Sequence, residues 1–399
     1  MLTVRTLRPD EADAAADLTA RIFADPEERE AMRRLLLAAY ADCPFMRPEN
    51  CLVGEIDGKL VTKWQLLNFD IRMAGTVVPM CGVQGVAAEP DENHKGYARK
   101  VAEGNLPRLA DLGFDFALGF AQRGAMYLRM GAVPVMADYT VTLDAYKIAK
   151  LESDPFREFD PLRDVPSLID HYNQRQCPGD WPPGSKRSPL ALAGPKAAHR
   201  PYLSGRIHRC ALRRRVHRDP GKSSVRDPTS MKRLSGSWPL LARERGVRRI
   251  HGPLPPGSSF LYSGHSLRRR VRGQLHTKIG MPRPSPWPPL RLIDRLSGAL
   301  EERLQDSRHH DIQATLTLEC NGETQALDLN QSGRQTQPLA LSFSAGGWLQ
   351  LAFGYRSIES LMQEEWSAAQ RAEWNQQDRD LAATLFPLGR PFMGHPDRY

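Results

Sequence analysis

The sequence predicts an α/β protein, in the mixed α+β sense, with more than one domain. Three observations carry this. Residues 1–150 alternate segments of strand period with segments of helical period, residues 290–399 return to that texture, and the stretch between them shows neither period. A chain of 399 residues, 41% of them hydrophobic, is long enough for two or three separate cores.

In the first unit, "TVRTL" reads as a short strand. "RPDEADAAADLTARIF" reads as a helix, with Leu18, Ile22 and Phe23 at helical spacing and acids in its first turn, where the helix dipole favours them. "NCLVGEI" and "KLVTKWQLLNFDIRMAG" are predicted strands joined by Asp57-Gly58, a dipeptide that supplies the positive φ angles of a tight hairpin. "TVVPMCGVQGVAAEP" continues this antiparallel meander. "GYARKVAEGNLPRLADLG" is a helix by its spacing of Ala98, Val101, Ala102, Leu106, Leu109 and Leu112, with a kink or break expected at Gly104 and Pro107. "FDFALGF" alternates as a strand, "GAMYLRMGA" is a short helix, and "VMADYTVTL" a last strand.

From about residue 178 the pattern stops. This segment holds about half of the prolines and, between Lys186 and Pro289, about two dozen Lys and Arg against three acids. The net charge of +9 therefore describes one segment, and the rest of the chain is net acidic. Such a composition buries too little apolar surface to offset its conformational entropy, so no ordered domain is expected there.

Order resumes with "PPLRLIDRLSGALEERL", read as one amphipathic helix. "ATLTLECNGETQALDL" follows as a hairpin turning at Asn321-Gly322, then "GGWLQLAFGYRSIESLM" and "AAQRAEWNQQDRDLAATLF" as helices. The six cysteines have no CxxC spacing, which argues against a zinc site or a disulfide framework and fits a reducing cytoplasm. No run approaches the ~18 apolar residues of a membrane span, and a charged N-terminus argues against a targeting segment.

The chemistry concentrates in "EPDENHKGYARK". A glycine-containing loop that opens a helix points several unpaired backbone N–H groups at one place, where the dipole adds positive charge, and phosphate binds well there. Gly96 would allow close approach, His94 and Lys95 add charge, and Ala98 keeps the first turn narrow. The plainer reading of the loop is an ordinary strand-to-helix corner. The mid-strand Gly85 before it, and "AMYLRMGA" after it, weigh for the phosphate.

Together, "VAAEPDENHKGYARKV" and "MYLRMGA" resemble the signature of GNAT acetyltransferases, a strand ending before a pyrophosphate loop of the form Arg/Gln-x-x-Gly-x-Gly/Ala. Asn93, Gly96 and Ala98 match its spacing, with Asn93 where Arg or Gln is usual. The two ends of the chain, with "LRLIDRLSGAL", "LQLAFGYRS" and "LFPLGRPFMGHPDRY", resemble the enhanced intracellular survival (Eis) type more narrowly. That resemblance implies a catalytic GNAT domain over 1–150, a second GNAT-like lobe over 151–289, and a sterol-carrier-like domain over 290–399. It further implies acetyl-CoA as acyl donor and no metal. The acceptor would be a primary amine, an aminoglycoside-like polycation or a lysine. Backbone groups at Val86, Ala87 and Ala88, with the loop from Asn93 and His94 through Lys95, Gly96 and Tyr97 to Ala98, would hold the cofactor. Tyr127 would be the acid and the terminal carboxylate of Tyr399 the base, and the assembly would be an oligomer, as in hexameric relatives.

A middle segment with this texture, between patterned flanks, is what out-of-frame translation of GC-rich DNA looks like, with frame changes near 185 and near 290. Other residues have plainer readings. His309-His310 are expected in a solvated loop, Cys81 as a small buried hydrophobe, and Asp25 as a first-turn acid that could also serve an acidic pocket. Two alternatives to catalysis stand beside the leading one. The first is a non-catalytic product whose C-terminal domain binds a partner or a lipid, and the second a basic nucleic-acid-binding protein using Arg213–Arg215 and Arg268–Arg270.

Overall fold

The computed structural model describes residues 1–43, 45–92, 95–119, 124–144, 249–254, 272–282 and 290–389, with a few isolated positions between 156 and 217. Strand β1 (Thr3–Thr6) precedes helices α1 (Ala12–Phe23) and α2 (Arg29–Asp42), and strands β2 (Met46–Ile56), β3 (Lys59–Met73) and β4 (Thr76–Ala88) follow. These four strands pair antiparallel in chain order. The expected turn at Asp57-Gly58 has φ of 49° and 78°, the doubly positive pair of a hairpin turn whose twist matches its strands. Ala74-Gly75 makes the same turn, with φ of 49° and 84°.

Helix α3 (Tyr97–Asp111) carries the chain across to β5 (Phe116–Gly119), which runs parallel to β4. The expected interruption at Gly104 and Pro107 is not a break, since α3 is continuous across both. Its sheet-facing side explains this: Val101 and Ala102 are fully buried among Leu52, Trp64 and Val83. Gly104 lets the helix lie close, as a Cβ there would stand 3.4 Å from methyl carbons of both Leu52 and Val4. That burial offsets the one backbone hydrogen bond that Pro107 removes.

Helix α4 (Gly124–Arg129) and strand β6 (Val133–Asp144) come next, and two further strands, β7 (Arg249–Leu254) and β8 (Arg272–Pro282), complete an eight-stranded sheet in the order β1-β2-β3-β4-β5-β8-β6-β7. The basic segment, read from sequence as unpatterned, thus supplies β7 and the antiparallel filler β8 between β5 and β6. Ladder hydrogen bonds come from the backbone and ask little of side chains, so composition alone under-reports such strands. Apart from the isolated positions up to His217, the rest of that segment lies outside the described residues, including the expected frame change near 185.

The C-terminal unit begins with α5 (Leu290–Arg295) and α6 (Ser297–Gln305), two helices where one was expected, divided at Leu296. Strands β9 (Ile312–Cys320), β10 (Glu323–Leu329) and β11 (Gln335–Ser342) form a sheet in the order β10-β9-β11. β9 and β10 make the expected hairpin at Asn321-Gly322, with φ of 52° and 83°. The two long helices anticipated beyond are four: α7 (Ala345–Ala352), α8 (Ile358–Glu365), α9 (Ala368–Ala372) and α10 (Gln376–Leu385). Ser344, Ser357, Ser367 and Asn375 accept a bond from the backbone N–H three residues on and start a helix each. The helical period continues across these caps, which is why the breaks were missed.

The two units share a core. Leu292, Leu296, Leu349 and Phe353 pack against Met80, Phe116, Leu118 and Val135 of the large sheet. Phe353 meets Phe116 edge-on at 5.3 Å between ring centroids. Asp115, buried just before β5, pairs with Arg295 at 2.6 Å and Arg291 at 3.4 Å, and Gln350 donates to the carbonyl of Pro134 at 2.9 Å.

Candidate active site

The site is built on two parallel strands, one of them bulged. β4 and β5 pair from Met80↔Phe116 to Val83↔Gly119, and β4 continues to Ala88 beyond that register. On its other edge, the ladder with β3 jumps from Gln65↔Gln84 to Lys63↔Ala87. The jump is a bulge at Gly85, whose φ is +55°. Glycine takes that conformation at no steric cost, and the bulge breaks the regular β3/β4 ladder just beyond the described β4/β5 register. Val86 and Ala88 are half-buried and Ala87 is buried.

After Glu89, whose N–H bonds to the Val61 carbonyl at 2.8 Å, one 3-10 turn (Pro90–Glu92) leads toward α3. Gly96 has a φ of +76°, and its carbonyl accepts from Lys100 N–H at 3.0 Å, the first hydrogen bond of the helix. A Cβ at Gly96 would meet nothing within 4 Å, so glycine is needed there for its φ and leaves the approach to the helix N-terminus open. Tyr97 and Ala98 are half-buried in the first turn, and Lys95 is exposed. Asn93 and His94 lie outside the described residues.

Tyr127 lies on α4 and packs on Trp64, with ring centroids 5.7 Å apart, in the cluster that joins α3 to the sheet. Burial pushes its phenol up to about 12, so it stays protonated at neutral pH. Tyr399 lies outside the described residues, but the chain leading to it does not. Phe386 is buried in the C-terminal core, and Gly389 N–H bonds to the Gly354 carbonyl at 2.7 Å, next to the Phe353 that packs on β5.

The remaining candidates separate. Cys81 is buried, as expected, and burial raises its thiol. Asp25 is exposed ahead of a single 3-10 turn, Pro26–Glu28. His309 departs from expectation: it is buried rather than solvated, with its pKa lowered by burial and by Arg308, while His310 is exposed. No group of residues with metal-ligand spacing occurs among the described residues. Nor is any described helix long and apolar enough to cross a membrane.

A set of polar residues on β3 escaped the sequence reading. Lys63 and Gln65 are buried on the side of the sheet covered by α1 and α2, opposite Trp64. Lys63 Nζ donates to the Tyr40 hydroxyl at 3.2 Å, and burial lowers its pKa. The signal was there in "VTKWQLL", where a Lys and a Gln interrupt a run otherwise suited to a strand buried on both faces.

Residues 3–135 match the family described as acetyltransferase (GNAT) domain. The chain carries a GNAT acetyltransferase domain. Its matched residues run from β1 into β6 and contain the bulge, the Gly96 loop and Tyr127. The family of that domain is one of acetyltransferases, enzymes that use acyl-CoA. A search of curated protein sequences found no match. Among solved structures, a GCN5-related N-acetyltransferase from Anabaena variabilis is similar over 100% of both chains, at 12% identity and a TM-score of 0.64. One from Kribbella flavida is similar over 100% of this chain and 98% of its own, at 14% identity and a TM-score of 0.63. Eis1 from Mycobacterium abscessus is similar over 100% of both chains, at 14% identity and a TM-score of 0.59. At these identities the likeness is one of fold.

Proposed function

We propose that the chain is an acetyl-CoA-dependent N-acetyltransferase of the Eis type, acting on a primary amine by direct attack. The observation that carries this is the Gly85 bulge on β4, just beyond its described register with the parallel β5, on the strand that leads on to the open helix N-terminus at Gly96. In this reading, backbone groups at Val86, Ala87 and Ala88 hold the donor's arm and polarise its thioester carbonyl. Asn93, His94, Lys95, Gly96, Tyr97 and Ala98 surround its pyrophosphate.

The amine nitrogen forms its bond to the acetyl carbon as the carbon–sulfur bond breaks. Tyr127 gives its phenolic proton to the departing sulfur, and the Tyr399 carboxylate takes the proton from the amine. A protonated Tyr127 at neutral pH is consistent with the acid role. The tail fits the base role by reach. From Gly389, tied beside the foot of β5, the ten residues to Tyr399 span up to ~33–36 Å when extended. A four-residue β5 is only ~13 Å long. The Eis-type assignment also leads us to propose a sterol-carrier-like C-terminal domain and a homo-oligomer.

Thiol release from acetyl-CoA against a panel of primary amines tests the proposal. Tyr127→Phe is expected to lower kcat by ~10²–10⁴-fold with acetyl-CoA affinity retained, and residues appended after Tyr399 to abolish transfer in a folded protein. Full activity in either variant would remove that residue from the mechanism. Absence of acetyl-CoA binding by the unaltered protein would sink the proposal.

A further inference from the structure

Beyond the Gly85 bulge, β4 stays paired with β3 through Lys63↔Ala87 and Thr62↔Ala88. The Thr62 hydroxyl donates to the Ala87 carbonyl at 2.8 Å, and Glu89 N–H donates to the Val61 carbonyl at 2.8 Å. Both bonds lie between β4 and β3, one on each side of Ala88. A trans peptide sends its C=O and N–H in opposite directions, so the N–H and the C=O of Ala88 itself both point away from β3. The neighbour on that edge is β5, whose described register with β4 ends earlier, at Val83↔Gly119. Ala88 is half-buried there. One residue thus presents a donor and an acceptor side by side, the pattern with which a strand edge takes up an extended chain carrying amides.

Two side-chain devices hold these peptide planes. Thr62 is 0% exposed and fills room that Gly54 leaves on β2, where a Cβ would stand 2.6 Å from Thr62 Cγ2. A β-branched side chain in such a slot has little rotational freedom, so its hydroxyl stays on the Ala87 carbonyl. Glu89, with its side chain 8% exposed, receives Nη1 and Nη2 of Arg21 on its two carboxylate oxygens, both at 2.8 Å. Asp17 takes Nε of the same arginine at 2.8 Å, and Lys59 adds a contact to Glu89 at 3.4 Å. A two-pronged pair fixes the orientation of both groups, and this one ties the residue after β4 to α1, just before the turn that leads to Gly96.

Resting on the acetyl-transfer reading above, we propose that Thr62 and the Arg21–Glu89 pair are positioning residues for the acyl donor, holding the peptides on either side of Ala88 so that its N–H and C=O meet the amides of the donor's pantetheine arm. Neither device touches the donor. Each acts through the backbone of Ala88, and the gain is one of pre-organisation, which shows in donor affinity and leaves the acceptor amine unaffected.

The test measures the Kd of acetyl-CoA by calorimetry, and the KM of donor and amine separately, in the unaltered protein and in Thr62→Val, Thr62→Ser and Glu89→Gln. Thr62→Val keeps the shape and loses the hydroxyl. It should raise the acetyl-CoA Kd about tenfold, the size of one lost hydrogen bond, and leave the amine KM where it was. Thr62→Ser keeps the hydroxyl and should bind acetyl-CoA nearly as the unaltered protein does. Glu89→Gln breaks the two-pronged pair and should weaken acetyl-CoA in the same direction, again with the amine KM unmoved. An unmoved Kd in a folded Thr62→Val, or a loss that Thr62→Ser does not restore, overturns the proposal, as does a rise in amine KM equal to the rise for the donor. If Thr62→Val fails to fold, the Kd in Glu89→Gln decides in its place. An unaltered protein that binds no acetyl-CoA overturns the acetyl-transfer reading itself.

Discussion

The large sheet and the C-terminal unit bury tryptophans in opposite ways. In the C-terminal unit, Trp348 Nε1 donates to the Glu319 carbonyl at 2.8 Å and Trp366 Nε1 to the Ser342 carbonyl at 2.5 Å. In the large sheet, Trp64 Nε1 is buried beside Tyr127 with no acceptor among the described residues, and Gln65, Gln84 and Asn105 also bury polar atoms without partners. One region has four capped helices around an apolar core, and the other buries polar atoms that have no partner among the described residues. The difference separates a part organised for stability from a part that trades stability for a site.

The largest effect on this contrast should come from Trp348→Ala. It empties the centre of the C-terminal core and should cost ~3–5 kcal/mol, read from urea unfolding. Asp115→Asn comes next. It leaves Arg295 and Arg291 without their carboxylate where the two units meet, and with both arginines partly solvated the loss should be ~1–3 kcal/mol. A double-mutant cycle with Arg295→Met checks it, and additive losses would show that the pair does not join the units.

A smaller difference addresses the tryptophans directly. Trp348→Phe should cost ~1 kcal/mol more than Trp64→Phe, because the first strands a carbonyl and the second removes a donor that had no acceptor. Equal losses would erase the contrast. The smallest effect is in acid. Arg5 and Arg8 hold the Glu11 carboxylate at about 2, below its ordinary range. A depressed carboxylate contributes stability above its unfolded pKa and loses it as pH falls from about 4.5 toward 2. Glu11→Gln should therefore flatten the acid limb of a stability profile in that window and leave the neutral plateau nearly level.

Much of the site was legible one residue at a time. Gly85 and Gly96 could be singled out because glycine in a strand and before a helix has few other uses, and both have positive φ in the fold. Tyr127 stood out only through the motif around it, and its tilted contact with Trp64 depends on a residue 63 positions away. Lys63, Gln65 and Gln84 were passed over. Their meaning depends on which face of which strand they occupy, and a single-residue bulge decides that for everything beyond it. Caps at Ser357 and Asn375 were also passed over, because the apolar period continues across them.

By itself the sequence determined the local alphabet: the Asp57-Gly58 and Asn321-Gly322 turns, the helix that starts after Gly96, the strands of the first meander and the mixed character of the C-terminal unit. These follow from φ preferences and from periods read over a few residues. Tertiary structure alone decided that β8 enters the sheet between β5 and β6, that Asp115 meets Arg295, and that Lys63 lies buried beside Gly85. Those are pairings between segments up to about 180 residues apart, selected by shared burial and by complementary charge.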